Sequence, residues 1–168
     1  MPLPYDGHPD GKASPAVAEP VRIERAGRKD ALEFYRLEAL CFEMDANDAD
    51  TLYYWTPILE HMCCYKAVAG DGRIVGGVVS MPTYDGKWYV NSLCVSPEYR
   101  GRGIARRLMD AVIYAARPGR DIILDVKTDR PHLLKFYGSL GFTRRGRSDN
   151  HYLDGSDRFI MVRGCSRA

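Results

Sequence analysis

The stretch that most restricts how this chain can fold is Leu93–Met109, LCVSPEYRGRGIARRLM. It reads as strand, sharp turn, helix. Leu93, Cys94 and Val95 close an apolar extended segment. Ser96-Pro97 stops it, because proline has no N–H to give to a ladder. Arg100, Gly101, Arg102, Gly103, Ile104 and Ala105 follow. Ile104, Leu108, Ala111 and Val112 then recur at helical spacing. A glycine-rich turn that opens a helix leaves backbone N–H groups without partners, aimed where the helix dipole favours negative charge. That is a phosphate cradle, and Gly101 and Gly103 would let a ligand approach where a Cβ would clash.

Three readings of this turn compete. It could be a surface turn with solvated arginines, since short glycine patterns arise often by chance. It could be a dinucleotide fingerprint, but Arg106 stands where the third glycine belongs and the glycines do not follow the strand directly. The third reading is the pattern R-x-x-G-x-A, carried by Arg100, Gly103 and Ala105. This resembles the acyl-CoA pyrophosphate loop of the GNAT superfamily of N-acyltransferases, and P-E-Y-R-G-R-G-I-A fits it closely.

At 168 residues the chain is long enough for one domain with a real core. Its net charge of +2 is too weak to indicate nucleic acid. The basic residues do cluster, with Arg100, Arg102, Arg106 and Arg107 around the turn and Arg144, Arg145 and Arg147 further on. The first group suits the phosphates of a nucleotide-like cofactor; the second reads as a solvated face. The five cysteines are odd in number, Cys63 and Cys64 are adjacent, and no C-x-x-C pair exists. No metal site is expected, and reduced thiols in a cytoplasmic protein are the better account. No run has signal-peptide or membrane-span character, so no membrane association is expected.

Residues 1–19 are rich in Pro, Gly, Asp and Ala and should form a flexible tail before a single domain at 20–168. Val21–Arg25 alternates as a first strand. Asp30 could cap a helix through ALEFYRLEALCFEM with Leu32, Tyr35, Leu37, Leu40 and Cys41 as its apolar face. After a polar break at Asp45–Asp50, a second helix is expected from Ala49 to about Met62, with Pro57 kinking or restarting it. Tyr65–Ala69 and Ile74–Met81 flank Gly70-Asp71-Gly72 as a hairpin, and Trp88–Val95 follows a second turn. The helix after the cradle should end at Arg117-Pro118-Gly119. Asp121–Thr128 is a further strand, Pro131–Leu140 a short helix, and Thr143–Arg147 with Arg158–Val162 a last hairpin. The expectation is an α/β fold: a mixed, mostly antiparallel central sheet with helices on both faces. This is the element order of the GNAT fold.

A second constellation supports the resemblance. Phe136-Tyr137-Gly138-Ser139-Leu140-Gly141-Phe142 is similar to the superfamily's L-Y-x-x-L-G-F signature. Alone, Tyr137 would be a core aromatic. The resemblance implies that it is the general acid protonating the departing CoA thiolate, and a phenol of reference pKa about 10 suits that role. Leu124-Asp125-Val126-Lys127 and His151-Tyr152-Leu153-Asp154-Gly155-Ser156-Asp157 are similar to the L-E-V-R and Y-Y-x-D-G-E-D segments of protein N-terminal α-amino acetyltransferases, especially the ribosomal-protein-alanine type. Asp125 takes the position of a proposed base and Tyr152 that of a tyrosine lining the peptide site.

There are departures. Asp125 is one methylene shorter than Glu, so a water would have to bridge it to the amine. His151 replaces the first tyrosine, and Arg130 stands where the family usually has Asn. Asp125 could instead be a strand carboxylate paired with a nearby arginine such as Arg130. The central-strand glutamate of some lysine acetyltransferases is replaced by Tyr89, so that base is absent.

The resemblance implies acetyl-CoA as co-substrate. Its pyrophosphate would lie on the N–H groups from Arg100 to Ala105, and its pantetheine would pair with Leu93, Cys94 and Val95. The acceptor is a primary amine that attacks directly, most readily a protein or peptide N-terminus. Freeing an α-amine of pKa about 8 at neutral pH costs about 1.4 kcal/mol, against roughly 4 to 5 kcal/mol for lysine. A small amine or polyamine is the alternative, with Asp45, Asp48 and Asp50 as candidate carboxylates. A non-catalytic acyl-CoA sensor is an alternative of another class. An unpaired edge at the last strands would favour a homodimer.

Overall fold

The computed structural model describes residues 20–42, 50–116 and 119–165. The expected 1–19 tail, the polar break from Asp45 up to Asp50, where α2 begins, and the Arg117-Pro118 helix end lie outside the described residues. The elements follow the expected order: β1 (Arg22–Arg25), α1 (Ala31–Phe42), α2 (Asp50–His61), β2 (Cys63–Val68), β3 (Ile74–Pro82), β4 (Trp88–Val95), α3 (Ile104–Ala115), β5 (Ile122–Lys127), α4 (Pro131–Gly138), β6 (Thr143–Ser148) and β7 (Arg158–Arg163). Among the described residues they build one sheet of order β1-β2-β3-β4-β5-β7-β6. Every neighbouring pair is antiparallel except β4 and β5, which are parallel. No helix among the described residues is long and apolar enough to cross a membrane.

Strand alternation divides the core between the two faces. Val78 faces the larger cluster, with Ile104, Leu108 and Val112 of α3 and Tyr137 of α4. Its neighbour Val79 faces the smaller one, with Phe34 of α1 and Leu59 of α2. Gly76 and Gly77 let both layers close on β3. A Cβ at Gly77 would stand 2.4 Å from Phe34 Cζ, and one at Gly76 would stand 3.1 Å from Ile104 Cγ2.

Two details differ from expectation. On α1 the buried set is Ala31, Phe34, Tyr35, Leu37, Glu38 and Ala39, whereas Leu32 and Leu40 are exposed. The inward stripe passes through a glutamate, which disguises it to a reading by hydrophobicity alone. Pro57 lies within a single helix, where its missing N–H leaves one ladder position unfilled.

The sheet opens at its one parallel junction. β4 and β5 share only the pairs Trp88↔Ile122 and Tyr89↔Ile123, so the far half of β4 has no ladder partner on that side. A bulge sits at the same level. Val79 pairs with Ser92 and Ser80 with Val90, which leaves Asn91 as the extra residue. The strand therefore bends where it leaves β5.

Candidate active site

The cradle has the geometry its sequence implies. Gly101 and Gly103 adopt φ of +75° and +73°, in the left-handed region that side chains other than glycine resist. A Cβ at either would meet nothing within 4 Å, so the glycines serve backbone shape and open approach, not packing. The first helix N–H outside the regular ladder to find a carbonyl is that of Arg107, donating to Gly103 at 3.2 Å. The N–H groups of Ile104, Ala105 and Arg106 before it face out of the helix end. The Ile104 side chain is buried and anchors the turn. The arginines brace the turn. Arg100 Nε donates to the Val95 carbonyl at 3.1 Å, Arg102 donates to the Glu98 carbonyl and lies over the Tyr99 ring, and Arg106 donates to Ser139. This exposed, donor-rich loop fits a pyrophosphate. Leu93–Val95 runs from it toward the open junction, with the Val95 carbonyl already taken by Arg100 and by the Cys41 thiol.

At the junction, Asp125 points away from the core that receives its neighbours Leu124 and Val126. The hydroxyls of Tyr89 and Tyr152 donate to its Oδ2 at 2.9 and 2.8 Å and lie 3.0 Å from each other. Three oxygens thus share two protons around one carboxylate whose side chain is 7% exposed. Burial and the hydrogen bond with Tyr152 push the Tyr89 phenol well above its ordinary range, with the charge of Asp125 acting in the same direction. The Tyr152 phenol is raised as well, chiefly by burial. His151 meets the Tyr152 ring edge-on at 4.6 Å. The cation beside Asp125 is not Arg130, which pairs with its neighbour Asp129. It is Arg158, whose Nη1 is 3.6 Å from Asp125 Oδ1.

Tyr137 reaches the junction from the opposite face. It is 8% exposed and packs edge-on against Phe136 and Phe142. Burial, and then the charge of Asp125, push its phenol well above the ordinary tyrosine range. A buried phenol on one face and a carboxylate hydrogen-bonded by two tyrosines on the other flank the gap between β4 and β5.

A family model described as acetyltransferase (GNAT) family matches residues 31–142. The chain belongs to the GNAT acetyltransferase family. N-alpha-acetyltransferase RimI of Mycobacterium tuberculosis is 34% identical over 88% of this acetyltransferase and 95% of the relative. An uncharacterised Mycobacterium leprae protein is 30% identical over 95% of this chain, which spans only 45% of that relative. The solved ribosomal-protein-S18-alanine N-acetyltransferase of Escherichia coli shares the fold, with a TM-score of 0.73 at 21% identity, covering 88% of this chain and 96% of that one.

Within this acetyltransferase, the structure gathers Tyr137, Asp125 and Tyr152 around one junction and sets the Arg100–Ala105 loop at the head of α3. Tyr89, counted in sequence only as a lost base, belongs to the same hydrogen-bonded group. Its place opposite Ile123, two residues before Asp125, follows from the β4–β5 register, which no local pattern encodes. A second carboxyl also escaped the sequence reading. Glu38 of α1 is 6% exposed and accepts hydrogen bonds from Ser92 and Cys94 of β4. Burial pushes its carboxyl up, opposed by those two bonds. Cys94 is 4% exposed and its thiol is held well above the ordinary range, first by its hydrogen bond with Cys41, so it is a poor nucleophile. Of the carboxylates considered for a polyamine, Asp45 and Asp48 lie outside the described residues, as does the side chain of Asp50.

Proposed function

We propose that this acetyltransferase moves the acetyl group of acetyl-CoA to the α-amine at the N-terminus of a protein or peptide. The observation that carries the reading is the Asp125–Tyr89–Tyr152 group at the mouth of the open junction. A carboxylate holding two phenols can take one proton by relay from an amine that is nearly neutral at physiological pH, and the short Asp125 needs no water to reach outward because Tyr152 does so. Tyr152 is half-exposed, which suits a residue that meets the acceptor.

In this reading the pyrophosphate lies on the Arg100–Ala105 loop and the pantetheine pairs along Leu93–Val95. The amine gives its proton through Tyr152 or Tyr89 to Asp125 and attacks the thioester carbonyl. The tetrahedral intermediate collapses, the C–S bond breaks, and Tyr137 gives its proton to the CoA sulfur. No covalent enzyme intermediate is involved, in keeping with the buried, weakly acidic Cys94. The cysteines among the described residues are all free thiols, which suits a reducing compartment, and we place the enzyme in the cytoplasm. The β6 edge carries Arg144, Arg145 and Arg147, and like charge there works against edge pairing of two copies, so the proposed unit is the single chain.

The test is CoA release from acetyl-CoA with free-N-terminus peptides, N-blocked lysine peptides and polyamines. Turnover confined to the free N-termini is expected. Turnover confined to polyamines would reject the α-amine acceptor, and binding of acetyl-CoA without release by any amine would reject the enzyme.

A further inference from the structure

The reaction above leaves one charged side chain of the site unused. Arg158 opens β7 opposite Lys127 of β5, and its side chain is only 16% exposed. The guanidinium lies 4.8 Å from the centre of the Tyr152 ring. Its Nη1 is 3.6 Å from Asp125 Oδ1 and its Nη2 3.8 Å from Asp154 Oδ2. Both contacts are too long to be hydrogen bonds. Its Nε is buried and has no hydrogen-bond partner among the described residues. An arginine is always charged and carries five donors, and a buried donor without a partner is costly enough to call for a reason. The two loose ion pairs hold this guanidinium beside the reacting carboxylate without saturating it.

We infer that Arg158 determines acceptor specificity by binding a carboxylate that lies within one residue of the acceptor amine. This rests on the proposed amine acetylation. Asp125 and Arg158 stand side by side as an anion and a cation. An acidic residue with a free α-amine presents the same two charges in reverse. Docking exchanges one loose internal ion pair for two closer ones: the ammonium meets Asp125 before giving up its proton, and the carboxylate meets the planar fork of Arg158, which is shaped for two parallel hydrogen bonds. The Tyr152 ring fixes the plane of that fork. A lysine in the same place would set a second cation against the guanidinium.

The experiment measures kcat/KM on the whole protein with short peptides that differ only in the first residue, which is Asp, Glu, Asn, Ala or Lys. Free aspartate and free alanine are added as acceptors. Peptides beginning with Asp or Glu should be preferred over Asn by about tenfold to a hundredfold, the usual effect of a charge-assisted hydrogen bond. Arg158→Met should bring the Asp-to-Asn ratio close to one, whatever its absolute rate. The wild-type series decides the matter even if that variant folds poorly. Equal rates for Asp and Asn peptides would overturn the role of Arg158 and leave N-terminal acetylation standing. Free amino acids turned over in place of peptides would keep the carboxylate contact, assign it to the α-carboxylate, and reject a protein acceptor. No turnover of any of these amines would overturn both.

Discussion

The Tyr137 hydroxyl is buried among aromatic rings and held protonated far into the alkaline range, so it keeps a proton at neutral pH. In the proposed mechanism that proton goes to the CoA sulfur as the C–S bond breaks. Tyr137→Phe removes that proton with little change in volume. We expect kcat to fall by roughly a hundredfold or more, the usual range for a lost general acid, with acetyl-CoA affinity unchanged by calorimetry. Cys41 is shifted the other way. A hydrogen bond from Cys94, aided by Arg100, outweighs burial and lowers its thiol to about 7. The thiolate is the form that reacts. Alkylation of Cys41 by iodoacetamide should therefore rise about tenfold per pH unit below 7 and level off above it, whereas an unperturbed thiol keeps gaining until about 8.5. Peptide mass spectrometry reads both. A plateau only near 8.5 would remove the special environment from Cys41. Because its Sγ touches the Val95 carbonyl, on the strand proposed to pair with the pantetheine, acetyl-CoA should slow the reaction.

At the scale of elements, β3 is pressed between α1 and α3, and the adjacent glycines Gly76 and Gly77 are where the pressure falls. Gly77→Ala would put a methyl 2.4 Å from the Phe34 ring, which is fully buried and has no room to retreat. Overpacking of this kind costs about 1–3 kcal/mol, seen as a lower urea midpoint. Gly146→Ala on β6, where a Cβ would meet nothing within 4 Å, is the matched control and should be close to neutral. Most elements could be read from the chain because glycine, proline and alternation act locally: the Gly70-Asp71-Gly72 turn, the stop at Pro97 and the helix after Gly103 all stand as expected. The face of α1 could not be read this way. Its inward stripe includes Glu38, and a carboxyl turns inward only because Ser92 and Cys94 of a strand far along the chain meet it there.

Across the whole molecule, the slot proposed for acetyl-CoA exists only when β4 and β5 are assembled and then part after two residue pairs. A ligand that binds there stabilises the native state alone. Acetyl-CoA at a hundredfold its Kd should contribute about 2.7 kcal/mol, which for a domain of this size raises Tm by roughly 5 to 11 °C. No shift at that concentration would mean that the slot does not hold it. The Arg100–Ala105 turn could be picked out in the linear chain from its glycines ahead of a helix, whereas Tyr137 and Asp125 stood out as candidates only because their short motifs resemble those of the family, and the roles given to them belong to the proposed mechanism. What surrounds Asp125 was not legible. Tyr89 and Arg158 come from β4 and β7 and meet the carboxylate only through the strand order β4-β5-β7 and its register. Arg130, the cation close to Asp125 in sequence, was the natural guess for its partner. It pairs elsewhere because a strand sends its side chains sideways to neighbouring strands, and those neighbours are assigned by the sheet, not by the distance along the chain.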